Sequence, residues 1–181
     1  MDAIVEAALR KWPHVPHCYD WLALDARGDW FLRDQQAQAN GPFPQSKGSR
    51  IEHAGLRAFI ERNYAHDDAG CWFFQNGPQR VYVELELAPW VWRLAESDSL
   101  VRIESHTGVA TTFASAWVDE RGHLFVATPL GLGVVHTQDM HLAARAVERG
   151  AWAVTEISFA ELMARFGPVL SPAALRVANP R

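Results

Sequence analysis

The stretch GCWFFQNGPQRVYVELELAPWVWRL, Gly70 to Leu94, decides how the rest of the chain is read. From Gln79 to Leu87, Val81, Val83, Leu85 and Leu87 alternate with Arg80, Tyr82, Glu84 and Glu86, the period of two expected of a strand buried on one face. The second set predicts a wet opposite face, on which Glu84 and Glu86 act as solubilising charge. Asn76-Gly77-Pro78 folds Cys71–Gln75 back onto this strand, and Pro78, having no N–H to give, must belong to the loop. Pro89 then marks a bend or an edge, after which Trp90 and Trp92 project to one side. They read either as the wall of a core or as a ligand platform.

Two more hairpins are legible on either side. In YDWLALDARGDWFL and SAWVDERGHLFV, apolar runs flank Asp25-Ala26-Arg27-Gly28 and Asp119-Glu120-Arg121-Gly122. Each tetrad fits a turn that ends at positive φ, a conformation glycine adopts without strain. Asp67-Asp68-Ala69-Gly70 is a looser third copy. Either an internal duplication or a turn chemistry reached independently accounts for the recurrence.

Asp34 to Arg50, DQQAQANGPFPQSKGSR, is polar and aperiodic, and structureless loops of this length are often lids or binding loops. Ser49 with Glu52 forms the pattern of a capping box opening the next helix, whose apolar side carries Ile51, Leu56, Phe59, Ile60 and Tyr64. An N-terminal helix starts at Asp2 and stops at Pro13. Thr137 and Ser158 (with Glu161) begin two later helices, and Ser171 to Arg181 reads as a loosely held tail.

The fold class this predicts is α+β in two small subdomains, joined at the polar break Glu96-Ser97-Asp98-Ser99. Residues 1–95 form an N-terminal α/β roll and residues 96–181 a mostly antiparallel β roll with helices, each a bent sheet with a helix against it. The order WLALDARGDWFL, helix, GCWFFQNGPQRVYVELE, Pro89-Trp90 and LMARFGPVLSP resembles a small proteobacterial family of uncharacterised proteins. It is also similar to a broader uncharacterised family that joins an N-terminal α/β roll to a C-terminal β roll. The resemblance implies a fold and brings no activity or catalytic residues with it.

A formal charge of −4 and a pI near 6.0 argue against nucleic acid as a partner, which calls for a basic stripe. The absence of a long apolar run argues against a membrane, and two cysteines without paired spacing agree with a cytoplasmic protein. No cofactor fingerprint is present, since PLGLGVV continues as β-like sequence rather than opening a helix. No metal motif is present either, although His136 and His141 offer the nearest pair for acid, base or metal chemistry.

Three functional classes follow. The first, which the sequence favours, is a non-catalytic binding or regulatory protein holding a small molecule or protein segment in an aromatic-lined groove. Lys47, Arg50, Trp90 and Trp92 are its expected ligand-binding residues, with Asp34–Arg50 as a lid and one of the tryptophans partly exposed beneath it. The second is a hydrolase-like enzyme using His136 and His141, or Glu84 and Glu86. The third is an interaction protein working through a strand edge near Pro89 to Leu94.

Overall fold

The computed structural model describes residues 2–12, 15–97 and 100–178. The helix stop at Pro13, the central residues Asp98 and Ser99 of the polar break, and the end of the tail lie outside them. In chain order the elements are α1 (Ala3–Lys11), β1 (Cys18–Leu24), β2 (Trp30–Leu32), α2 (Gln35–Ala39), β3 (Ser49–Arg50), α3 (Ala54–Arg62), β4 (Tyr64–His66), β5 (Trp72–Asn76) and β6 (Gln79–Leu85). There follow β7 (Trp90–Ser97), β8 (Leu100–Ser105), β9 (Ala110–Thr111), β10 (Ser115–Val118), β11 (Leu124–Thr128) and β12 (Gly131–Val135). A 3-10 turn (Thr137–Asp139), α4 (Met140–Glu148), β13 (Val154–Glu156), α5 (Phe159–Phe166) and α6 (Pro172–Ala178) complete the described chain.

The fold is α+β, with two mixed sheets and two compact units. One unit comprises Met1–Asp25, Asp29–Glu86 and Pro168–Arg181; the other comprises Ala26–Gly28 and Leu87–Gly167. Residue 95, where the sequence places the join, lies inside β7. The first unit holds the sheet β3-β2-β1-β6-β5-β4 and the second β13-β10-β11-β12-β7-β8-β9. Neither sheet is purely antiparallel, because β1 pairs parallel with β6, β12 with β7 and β10 with β13. Four of the six pairings in the second sheet are antiparallel, as expected of its mostly antiparallel roll.

In the first unit β6 is a central strand covered on both faces, which corrects the wet-face reading. Tyr82 and Glu84 are as buried as Val83 and Leu85. Period two identified the strand but could not show that α6 returns to cover its polar face. Glu84 Oε1 accepts the Ala173 N–H at 3.1 Å in the first turn of α6, where a carboxylate is favoured. Burial pushes the Glu84 carboxyl above its ordinary range, and the bonds from Ser171 and Ala173 oppose that. The start of the expected loose tail is therefore docked: Ala173 is bonded to Glu84, Pro172 is buried, and just ahead of them Leu170 O accepts the Leu85 N–H while Val169 N–H donates to Gly70 O.

The segment after β2 is ordered by one fully buried cation. Arg33 Nε donates to Asp20 Oδ1 at 2.8 Å, while its two terminal nitrogens donate to the Ser46 and Gly41 carbonyls. Asp34 caps α2 through the Ala37 N–H, and Ser46 Oγ donates to Ala37 O. Ser49 and Arg50 are drawn into β3 by pairing with Leu32 and Phe31, so the expected capping box does not form. His53 caps α3 instead, its Nδ1 accepting from Leu56 N–H. The Ser158–Glu161 capping box of α5 is present.

The second unit's core gathers Val91, Trp117, Phe125, Leu132 and Val134 from the sheet, with Leu87 ahead of β7 and Leu162 of α5 against them. At both principal turns the leading aspartate organises the backbone. Asp25 N–H donates to Asp29 O while Asp25 Oδ1 accepts from Asp29 N–H; Asp119 does the same with His123, and Asp67 with Cys71. Gly28 and Gly122 both have φ of +81°.

Alanine at Gly122 should cost about 1 kcal/mol from the left-handed backbone alone. Alanine at Gly28 should cost more, because its Cβ would lie 2.9 Å from His106 Cβ whereas open space surrounds Gly122. Denaturant unfolding of the two variants measures the difference, and equal losses would contradict it. Arg33→Met should destabilise by roughly 3 kcal/mol by leaving Asp20 and two carbonyls unsatisfied, and should expose residues 41–48 to limited proteolysis.

Candidate functional site

Lys47 and Arg50, expected to meet a ligand, are both engaged by carboxylates of the first unit. Lys47 Nζ donates to Asp25 Oδ2 at 3.0 Å and to Glu86 Oε2 at 3.1 Å. Burial acts to lower its pKa, but the two carboxylates outweigh that and hold it above the ordinary lysine value. Arg50 donates to Asp29 Oδ1 at 2.7 Å. Trp90 and Trp92 belong to the second unit and are 9% and 0% exposed. Their rings stack at 6.0 Å, and their Nε1–H groups donate to Leu130 O and Val126 O, both at 2.8 Å. The expected partial exposure is thus corrected: these tryptophans are core wall, and within the first unit residues 34–46 pack around Arg33.

The other expected sites are not assembled either. His136 is buried with Nδ1 accepting from Gln138 N–H, whereas His141 is exposed beside Gln138 O. Among the described residues no group of three His, Cys, Asp or Glu side chains could hold a metal ion. The Pro89–Leu94 segment is no edge, because β7 lies between β12 and β8.

A concavity of about 280 Å³ does exist, on the β7–β8–β9 face of the second unit. Register explains its lining. Arg93 pairs with Glu104, which pairs with Ala110, and Ala95 pairs with Arg102, so these five side chains share one sheet face. Two alanines make a low floor between charged walls. Arg93 is fixed from the side: Asp139 accepts its Nε–H at 2.6 Å and its terminal N–H at 3.2 Å. Asp139 also takes the Leu94 N–H at 3.0 Å, standing in for β12, whose pairing with β7 ends at Val135. Although burial pushes the Asp139 carboxyl up, these bonds keep it below its ordinary range. Arg102 and Glu104 are exposed and form no ion pair among the described residues. The sequence reading found LVRIES as a strand but missed that its alternation sets Arg102 and Glu104 side by side.

The family model described as "Protein of unknown function (DUF2946)" matches residues 1–173. The chain belongs to that family. No curated protein matches the sequence. Among solved structures, the chain is similar to a DUF1285 family protein from Silicibacter pomeroyi DSS-3, with 11% identity, a TM-score of 0.49, and 79% of this chain and 83% of that one covered. It is also similar to a DUF1285 family protein from Shewanella baltica OS155, with 13% identity, a TM-score of 0.47, and coverage of 69% and 91%. Among the described residues no helix is long and apolar enough to cross a membrane.

In this DUF2946 family member the strongly shifted groups hold structure in place. The Cys71 thiol is pushed up to about 11 by burial and by Asp67 and Glu84, which makes it a poor nucleophile. His106 is pushed down to about 3 by burial, and its ring Nδ1 accepts the Val91 N–H at 3.3 Å while its backbone N–H donates to Val91 O. Because its folded pKa lies below the ordinary 6.5, the folded state binds fewer protons here than the unfolded chain. Its contribution is complete above 6.5 and is lost as pH falls from 6.5 towards 3, by up to about 1.4 kcal/mol per pH unit. Urea midpoints measured across that range should fall less steeply for His106→Gln than for the native protein. Parallel slopes would show that His106 does not titrate in the unfolding reaction.

Proposed function

We propose that the protein is a non-catalytic, cytoplasmic binding protein, and that its second unit holds a small ligand bearing both an acidic and a basic group, such as an amino acid or dipeptide. One observation carries the reading: Arg102 and Glu104, of opposite charge, flank an alanine floor and form no ion pair among the described residues. Two exposed charges two residues apart on a strand lie roughly 7 Å apart, a spacing that suits the two ends of such a ligand. A concavity of about 280 Å³ is near the small end of ligand pockets, roughly 300 Å³ and upwards. Arg93, already oriented by Asp139, is the register partner of Glu104 and adds a further donor on the same sheet face. The shifted acids, bases and thiol described above have structural partners, which favours binding over catalysis.

The reading is tested by titrating isotope-labelled protein with the common amino acids and with a set of dipeptides, following backbone amides of β7 and β8. Saturable shifts centred on Ala95, Arg102 and Glu104 are expected, together with their loss in Arg102→Gln. A spectrum unmoved by every compound would remove the proposal.

A further inference from the structure

The register of the β7–β8–β9 face sets its charges on a small checkerboard. Arg93 and Glu104 face each other across β7 and β8, and Ala95 and Arg102 form the next pair on the same side of the sheet. The two arginines therefore stand at diagonal corners. Ala95 occupies a third corner, two residues from Arg93 along β7 and directly across from Arg102. Glu104 occupies the fourth, with Ala110 beyond it on β9. All five line the same concavity. Asp139 acts on one corner alone. It accepts from Nε and one terminal nitrogen of Arg93, at 2.6 Å and 3.2 Å, and so takes one edge of the fork. The other edge is left on a side chain that is half-exposed. Asp139 is itself buried and is anchored by the Leu94 N–H.

The next step rests on the reading of this face as the site for a ligand with both an acidic and a basic group. We infer that the site selects zwitterions carrying no further charge, and that Asp139 is the positioning residue that sets this selectivity. The ligand's carboxylate sits over Ala95, where a short side chain leaves room and both arginines can donate to it, and its ammonium group lies against Glu104. Arg102 and Glu104 then answer the two ligand charges one for one. The Arg93–Asp139 pair supplies donors but little net charge, because the two opposite charges are in contact. A second carboxylate on the ligand would meet no further uncancelled cation among the lining residues, and that absence is what discriminates against it. Since Asp139 holds Arg93 before any ligand arrives, less ordering entropy is lost on binding.

The test uses the full chain, isotope-labelled and titrated at constant pH and ionic strength with alanine, with alanylalanine and with succinate. The reporters are the backbone amides of Ala95, Arg102 and Glu104. The native protein should bind at least one of the two zwitterions and prefer it to succinate. Asp139→Asn keeps an acceptor for the Leu94 N–H and removes the charge, so the affinity ratio should move towards succinate by at least about fivefold. A purely structural role for Asp139 would weaken all the ligands together and leave the ratio alone. Arg93→Gln leaves the Asp139 charge uncancelled and should move the ratio against succinate, which gives a second measurement should the Asp139 variant not fold. Glu156→Gln removes an exposed acid from β13, at the opposite edge of the sheet, and should leave the ratio as it is. A ratio unchanged in a folded site variant, or an equal shift in Glu156→Gln, overturns the inference while the ligand reading stands. A native protein that ignores both zwitterions or prefers succinate also overturns it, and the ligand reading falls with it only if every amino acid and dipeptide of the wider set leaves the spectrum unmoved.

Discussion

Backbone N–H groups left over where a ladder or helix ends must find an acceptor, and in this protein carboxylates supply it at six of the turns and ends that shape the two units. Asp25, Asp67 and Asp119 each close a turn by accepting the N–H four residues on. Asp139 takes the Leu94 N–H where β12 runs out, Asp34 caps α2, and Glu84 takes an N–H at the start of α6. These acids spend oxygens on main chain, and Asp25 and Asp139 hold Lys47 and Arg93 as well. Among the described residues Arg102 forms no ion pair.

What could be read in advance follows from which signals are local. The period of two in Gln79–Leu87 and the glycines of the Asp25 and Asp119 turns depend on adjacent residues alone, and the strands and turns they mark are present. The Ser158–Glu161 cap is equally local. The misreadings concern residues settled by partners far along the chain. Glu84 looked solvated because its acceptor role depends on Ala173, and Ser49 looked like a cap because its pairing depends on Leu32. Residues 34–50 looked like a lid because the buried cation that orders them, Arg33, sits one position before the polar run begins.

The candidate sites were less legible than the fold for the same reason. Lys47 and Arg50 stood out as cations in a polar loop, yet Asp25, Glu86 and Asp29 hold them. Trp90 and Trp92 stood out by size, and size is also what qualifies a side chain for the interior. Arg102 and Glu104 occupied an ordinary-looking strand. Nothing in the local sequence distinguishes a charge that has a partner from one that lacks it.

The division of the chain has a consequence for its synthesis. Leu87–Gly167 separates the last segment of the first unit from the segments before it, and Pro168–Ala178 supplies that unit with its bond from Leu85 to Leu170, its Cys71–Val169 bridge and the helix over Glu84. On the ribosome, β1 to β6 emerge early but wait for about 80 further residues before their closing segment exists. During that interval Glu84 and Tyr82 face water, and the polar character of this strand face, which looked like a surface signal, suits a strand that must stay soluble before it is covered.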